Sequence, residues 1–275
     1  FIKWSRKIRE IDGTERILSG REALKFCIKC GEDAGKWVTA NMLNETFKVD
    51  RDKGIFKPQD LEYEKTFYPF ILISKKRYVA DKYEFDYSPG SCKRNSMGIV
   101  LKRRDNAPIV KHVFGNVIEK IMIDKDLDKT VEWLKQTLSD IREGKFKMRN
   151  FVITKSLRGY YKNPNSIAHK VLADRMGERD PGNKPKAGDR MPFVYRKLPD
   201  SMLFDSDNVY KSGPRKGQPK AKKVLQGDRV EDPEYIKKNN IPIDYEFYIT
   251  NQIMNPVKQV LDLEMDPSIT ENIFQ

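Results

Sequence analysis

LEYEKTFYPFILISKKRY, residues 61–78, is the stretch whose reading decides the fold. Leu61-Glu62-Tyr63-Glu64 alternates, which puts both carboxylates on one face of an extended chain. Phe67 to Ser74 is mostly apolar and suits a strand that can be buried on both faces. The run then stops at three cations and a tyrosine: Lys75, Lys76, Arg77 and Tyr78. A segment of the same kind follows at 99–106, IVLKRRDN, where a short apolar strand leads into Lys102, Arg103 and Arg104. Held on neighbouring strands, the two clusters would make a cationic floor for a phosphate backbone. Solvated strand ends are the plain alternative for either segment alone.

On the N-terminal side, FIKWSRKIREI at 1–11 reads as a strand whose partners lie outside the chain. Ser19 and Glu22 form a capping box. Ala23, Phe26, Cys27, Cys30, Ala34, Trp37 and Val38 give the helix that follows its apolar stripe. A polar loop is expected at 48–59, a strand over Val79 to Tyr87, and a turn at Pro89-Gly90-Ser91. This first part reads as a helix on a mainly antiparallel sheet. Near Pro108 the period changes, and a domain boundary is expected at 106–110. Val110, Val113, Val117, Ile118 and Ile121 recur at helical spacing. Asp128 can cap a second helix, with Val131, Leu134, Leu138 and Ile141 inward. FVIT at 151–154 and Met191 to Tyr195 read as short strands, with a helix between them carrying Ile167, Val171, Leu172 and Met176. Pro233 and Pro242 bracket a turn region. Asp244 caps a last helix, with Phe247, Ile249, Ile253 and Met254 inward, which Pro256 is expected to interrupt. Residues 205–230 hold seven Lys/Arg against three Asp and little that must be buried, which reads as a flexible basic insertion.

The chain has 275 residues and a net charge of +13, an excess that favours a polyanionic partner: nucleic acid or an anionic membrane. No apolar run approaches membrane-spanning length, which leaves the membrane as the weaker choice. Three cysteines give no disulfide framework. Cys27 and Cys30 are read as helix packing residues, with metal or redox work as the alternative, since His112 and His169 offer no metal-like spacing. GxxxxGK[ST], GxSxG and HExxH are all absent from the sequence. His169, beside apolar residues at helical spacing, reads as a packing or phosphate-facing histidine. Tyr78, Tyr160, Tyr161 and Tyr195 are expected to be exposed beside the cations, where aromatics pack against sugars or bases. Glu62 and Glu64 could hold Mg²⁺ against phosphates or pair with nearby lysines; a two-metal site would need a further carboxylate-bearing strand.

These segments resemble family B DNA polymerases, in the branch of eukaryotic replicative and large-virus enzymes. Residues 61–78 resemble the late palm, and GIVLKRRDNAPIV at 98–110 the segment joining palm to thumb. FVITKSL at 151–157, AHKVLADRMGERDPGNKPKAGDRMPFVY at 168–195 and EDPEYIKKNNIPIDYEFYITNQIMNPV at 231–257 are similar to the thumb. The resemblance implies an α+β fold: a partial antiparallel palm sheet with a packed helix over residues 1–107, then a mainly helical thumb with short strands over 108–275. It implies that Lys76 lies in the minor groove near the primer terminus, with Lys75, Arg77 and Tyr78 beside it. Lys102, Arg103 and Arg104 would hold duplex near the palm–thumb junction. Lys155, Lys170, Arg175, Arg190 and Tyr195 would grip the emerging duplex. Glu62 and Glu64 would sit near an auxiliary metal position.

The family's incoming-nucleotide motif, fingers helix and YGDTDS hairpin are not found in this sequence, and Val79-Ala80 replaces the usual Ala-Gly after KKRY. The resemblance places Phe1 just past that hairpin. A split or processed DNA-directed DNA polymerase is therefore expected, inactive as an isolated chain. An N-terminal polypeptide would carry the exonuclease, the fingers and the rest of the palm, including the carboxylates for Mg²⁺. Primer–template DNA and dNTP are the implied ligands, a sliding clamp is a candidate partner, and no membrane is involved. The implied location is intracellular, at a nuclear or a viral, cytoplasmic replication site. The alternative is a non-catalytic duplex-binding or processivity protein derived from a polymerase.

Overall fold

The computed structural model describes residues 7–41, 61–84, 91–102 and 105–274. The strand expected from residue 1, the loop at 48–59 and the turn at 89–91 fall wholly or partly outside them. The chain divides into two compact units, Phe1–Gly98 and Ile99–Gln275. The division comes earlier than the 106–110 expected, because Ile99 is buried and the 3-10 turn Val100–Lys102 packs on the first helix of the second unit.

The first unit opens with a small antiparallel hairpin, β1 (Lys7–Arg9) and β2 (Glu15–Ile17). Helix α1 (Gly20–Asn41) follows. The Ser19 carbonyl accepts the Ala23 N–H at its start. Glu22 does not close the expected capping box; it takes both terminal nitrogens of Arg16, at 2.8 and 2.7 Å. Nor is the stripe where periodicity put it. Ala23, Leu24, Ile28 and Gly35 are buried, whereas Trp37 is exposed. Two glycines decide this face. A Cβ at Gly35 would lie 2.5 Å from the Leu61 carbonyl oxygen, and one at Gly31 would lie 2.8 Å from the Tyr63 ring. The chain at 61–63 therefore lies directly on α1, and only residues without a side chain leave room for it.

Strands β3 (Thr66–Ser74), β4 (Arg77–Tyr83) and β5 (Lys93–Met97) form an antiparallel sheet in that order. β3 is half-buried along most of its length rather than buried on both faces. Pro69, which has no N–H for the ladder, sits at the register shift between Phe67 and Phe70. The strand expected at 99–101 is not formed. β5 ends at Met97, Gly98 turns the chain with φ of 62°, and the backbone tightens into the 3-10 turn.

The second unit is mainly helical. Its elements are α2 (Pro108–Ile123), α3 (Leu127–Arg142), β6 (Ile153–Ser156), α4 (Ala168–Arg179), β7 (Arg190–Tyr195), α5 (Asp200–Leu203), β8 (Phe204–Val209), β9 (Pro219–Ala221) and β10 (Val230–Glu231). After them come α6 (Pro233–Asn239), α7 (Tyr245–Tyr248), α8 (Met254–Leu261) and α9 (Pro267–Asn272). Most of the α2 and α3 stripes come out as the spacing predicts: Val110, Val113, Val117, Ile118, Leu134, Leu138 and Ile141 are buried, while Ile121 and Val131 are half-buried. The cap of α3 is Asp126 rather than Asp128, its carboxylate accepting the Lys129 N–H at 3.0 Å. Asp244 does cap α7, accepting the Phe247 N–H at 3.0 Å. Pro256 does not break the last helix. It lies in the first turn of α8, where a missing N–H costs least, and a π-helical turn at Ile249–Ile253 absorbs the irregularity before it.

A three-stranded sheet, β10-β7-β6, joins these helices. The joint turns on Tyr248, which is fully buried. Its hydroxyl donates to the Phe151 carbonyl at 2.6 Å and accepts the Tyr195 N–H at 3.0 Å. Tyr248→Phe removes one oxygen and orphans two backbone groups. A loss of about 1–3 kcal/mol is expected in chemical denaturation; a loss under roughly 0.5 kcal/mol would show that neither bond matters.

Residues 205–230, expected to be a flexible insertion, form two built pieces. β8 and β9 pair as a hairpin, and a turn at 225–230 docks on α4 with Gly227 against Val171. Among the described residues no helix is long and apolar enough to cross a membrane.

Candidate nucleic-acid interface

Lys75 and Lys76 are not the end of one strand but the two-residue turn between β3 and β4. Both side chains are exposed. Lys76 has a φ of 61°, a conformation that costs an L-residue about 1–2 kcal/mol. The turn is braced from the next strand: a Cβ on Gly98 would lie 2.3 Å from the Lys76 carbonyl oxygen. Arg77 is half-buried, and its Nε donates to the Gly98 carbonyl at 3.4 Å. The backbone bearing two cations is thus held in place by a contact that only glycine permits.

Tyr78 is not exposed. It is a core residue, with its ring 5.6 Å from Phe67 and 5.7 Å from Phe70. Its place in the sheet explains the correction: β4 is the central strand, and Tyr78, Val79 and Ala80 are all buried in succession. Arg103 and Arg104 lie outside the described residues, as does the Lys102 side chain.

In the second unit the structure sorts the expected contacts. Lys155 and Arg190 are both exposed at the ends of β6 and β7. In the antiparallel register Lys155 pairs with Met191 and Ser156 with Arg190. Lys155 therefore shares the face of buried Met191, and Arg190 takes the opposite face of the ribbon. Lys170 is ion-paired to Asp174, which also lies 3.4 Å from Lys184. Tyr195 is half-buried and stacks on Phe247 with centroids 3.6 Å apart; burial pushes its phenol up from the usual value.

Arg175 is half-buried and its guanidinium is already engaged. Its Nε lies 3.6 Å from Glu231 Oε2, while its terminal nitrogens donate to the carbonyls of Gly227, at 3.3 Å, and Val230. Glu231 is fully buried and also takes both terminal nitrogens of Arg179, at 3.1 and 2.9 Å. Arg196 approaches it to 4.0 Å. Burial alone would raise the Glu231 pKa, but the Arg179 hydrogen bonds, the Asp232 N–H and the Arg175 charge bring it below the usual carboxylate value. These arginines hold the 227–231 turn on α4 rather than reaching for a ligand.

His169 is half-buried between elements. Its Nε2 lies 3.1 Å from the Tyr161 hydroxyl, which also accepts the Arg158 N–H at 2.8 Å. Burial, then the charges of Lys155 and Arg158, push its pKa down, partly offset by a backbone hydrogen bond at Ser156. Tyr161 is thereby half-buried, and of the four tyrosines expected to be exposed only Tyr160 is, at 81%. Sequence reading missed Arg158, whose only signal was its place beside Lys155 in a loop between the two strand patterns. It lies, with Lys155, near enough to His169 for its charge to act on that ring.

The metal reading of Glu62 and Glu64 does not fit these residues. Both are exposed, and Glu64 is paired with Lys65. Among the described residues no group of three or more His, Cys, Asp or Glu converges on a point. A divalent cation needs more protein oxygens, or a phosphate, to complete its shell.

A family model described as DNA polymerase family B matches residues 28–263. A DNA polymerase of Acanthamoeba polyphaga mimivirus is 43% identical over 267 residues, 97% of this chain and 13% of that protein. The DNA polymerase delta catalytic subunit of Candida albicans is 32% identical over 247 residues, 88% of this chain and 20% of that protein. The chain thus spans a fifth or less of the length of these relatives. Among solved structures, the family B DNA polymerase of Pyrobaculum calidifontis aligns with a TM-score of 0.52, 16% identity and coverage of 85% of this chain and 24% of that one. That likeness speaks for the fold, which is α+β in both.

Proposed function

Because the chain belongs to DNA polymerase family B, we infer that it supplies the late palm and the thumb of a template-dependent DNA polymerase and grips primer–template duplex during dNTP incorporation. The observation that carries this reading is the braced turn: two exposed lysines on a backbone fixed by Gly98. Such a turn presents charge to a phosphate or a base edge without paying to order itself on binding. Lys75 and Lys76 serve the primer end. Lys155, Arg158 and Arg190 follow the emerging duplex, and residues 102–104 serve the junction. Positioning, not sequence readout, is what such contacts provide.

The reaction forms a bond from the primer 3′-oxygen to the α-phosphorus of a dNTP, breaks the α–β phosphoanhydride bond, and releases pyrophosphate and the hydroxyl proton; Mg²⁺ would supply charge neutralisation at the phosphates. Its carboxylates would come from outside this chain, which spans a fifth or less of the length of the matched relatives. By itself the chain is expected to bind duplex and not to extend primers.

Lys76→Gly is the informative variant. It removes the charge and relieves the positive φ, so the melting temperature should not fall. Losing a hydrogen bond from a charged group costs about 1.5–3 kcal/mol. Primer extension by a complete polymerase carrying this segment should therefore drop roughly ten- to a hundredfold. Unchanged extension would sink the role of Lys76. Extension by the isolated chain would sink the view that the catalytic carboxylates lie elsewhere, and duplex binding without any gain of extension in the assembled enzyme would favour a non-catalytic binder.

A further inference from the structure

We propose that the β8–β9 hairpin is an arm that binds duplex phosphates, in addition to the turn and strand-end contacts above. The proposal rests on the duplex-gripping reading and assigns work to a segment that sequence reading treated as a flexible loop. The hairpin is built. Tyr210 donates to the Gln218 carbonyl at 3.0 Å and accepts from the Gly217 N–H at 2.9 Å. Its tip is laced by turns, with Lys216 N–H to Gly213 at 3.0 Å and Gln218 N–H to Arg215 at 3.0 Å. Below the strands, Lys222 N–H closes on the Leu203 carbonyl at 2.8 Å.

Charge is sorted along this arm. Lys211, Arg215 and Lys216 gather at the tip with no acid among them, whereas Lys220 is the register partner of Asp205, and Lys222 and Lys223 follow the strand at the base, where Lys222 Nζ donates to the Ser201 carbonyl at 3.2 Å. Among the described residues none of these six cations is ion-paired. All but half-buried Lys220 are exposed. An unneutralised row of this kind raises the cost of folding through self-repulsion, and a polyanion removes that cost.

The residues between the cations favour a sugar–phosphate backbone over an acidic peptide. They are Ser212, Gly213, Pro214, Gly217 and Gln218, and a Cβ at Gly213 or Gly217 would meet nothing within 4 Å. A flat, small-residue surface lets a backbone approach closely. A peptide would instead need pockets for its side chains. Six strand residues span roughly 20 Å, about the rise of six base pairs.

The test is the salt dependence of duplex binding by the full 275-residue chain. It compares wild type, Lys76→Gly, a tip variant (Lys211→Ser, Arg215→Ser, Lys216→Ser) and a base variant (Lys222→Ser, Lys223→Ser). Each phosphate contact contributes about 0.9 to the slope of log K against log salt. The tip variant should lose roughly 2–3 from that slope with melting unchanged, and the base variant roughly 2. Wild-type slopes in both variants, with Lys76→Gly weakened, would overturn the arm and leave the gripping reading standing. No duplex binding by the wild-type chain would overturn both. Loss of polyglutamate binding in the variants with an unchanged duplex slope would make the arm a site for acidic peptide, which also overturns the proposal.

Discussion

Glu231→Ala is expected to destabilise the chain by about 3–5 kcal/mol, the usual loss when one partner of a buried ion pair is removed. Glu231 is fully buried on β10, between Arg179, Arg175 and Arg196. Without it, three guanidinium groups that are 17–33% exposed would share one corner of the fold with no counter-charge. The same carboxylate anchors the turn that brings β10 to β7, so the damage should extend to the sheet. Glu231→Gln keeps an acceptor for Arg179 and should lose less. The pH dependence has a definite sign. The folded-state pKa is depressed, so the stabilisation is fully present above the ordinary carboxylate value and disappears as pH falls through the lower, folded-state value. Denaturation curves collected downward from neutral pH should show this acid sensitivity in wild type and not in Glu231→Gln. Equal stability of wild type and Glu231→Ala would contradict the role given to this residue.

Gly98→Ala should be the most damaging single methyl in the first unit. Its φ of 62° already costs a non-glycine residue about 1–2 kcal/mol. The new Cβ would also stand 2.3 Å from the Lys76 carbonyl oxygen and 3.0 Å from Arg77 Cγ. Backbone, not a pliable side-chain tip, has to move, so about 2–4 kcal/mol in all is expected from denaturation of the variant. Movement of the Lys75–Lys76 turn should weaken duplex binding as well. A double-mutant cycle with Lys76→Gly separates the two effects. If the glycine acts on binding through the turn, Gly98→Ala should cost far less affinity once Lys76 is gone, while its effect on stability persists. Full additivity for binding would mean that the turn is not what Gly98 holds in place.

Much of this fold was legible in the sequence, and the legible parts share a cause. The α2 and α3 stripes, the Asp244 cap and the Met191–Tyr195 strand depend on neighbours within one or two turns. Local periodicity and hydrogen bonding carry that information. The misplaced features depend on contacts far along the chain. Trp37 is exposed because Gly31 and Gly35 admit the 61–63 segment on another face of α1. Asp126 outranks Asp128 as a cap by the two residues over which helix boundaries are least certain.

The candidate site divides in the same way. That cations collect at 75–77, 155–158 and 211–223 is plain from residue order, as is the family to which the motifs belong. Which of those charges face outward is not. Arg175 and Lys76 look alike in sequence, but one is spent on Glu231 and two carbonyls and the other stands on an exposed turn. Sequence alone determined the charge, the helical stripes and the α+β class, because composition and short-range periodicity set these. Tertiary structure alone decided the destination of each charge, because a buried carboxylate 52 residues from Arg179 claims guanidinium groups that solvent or phosphate would otherwise take.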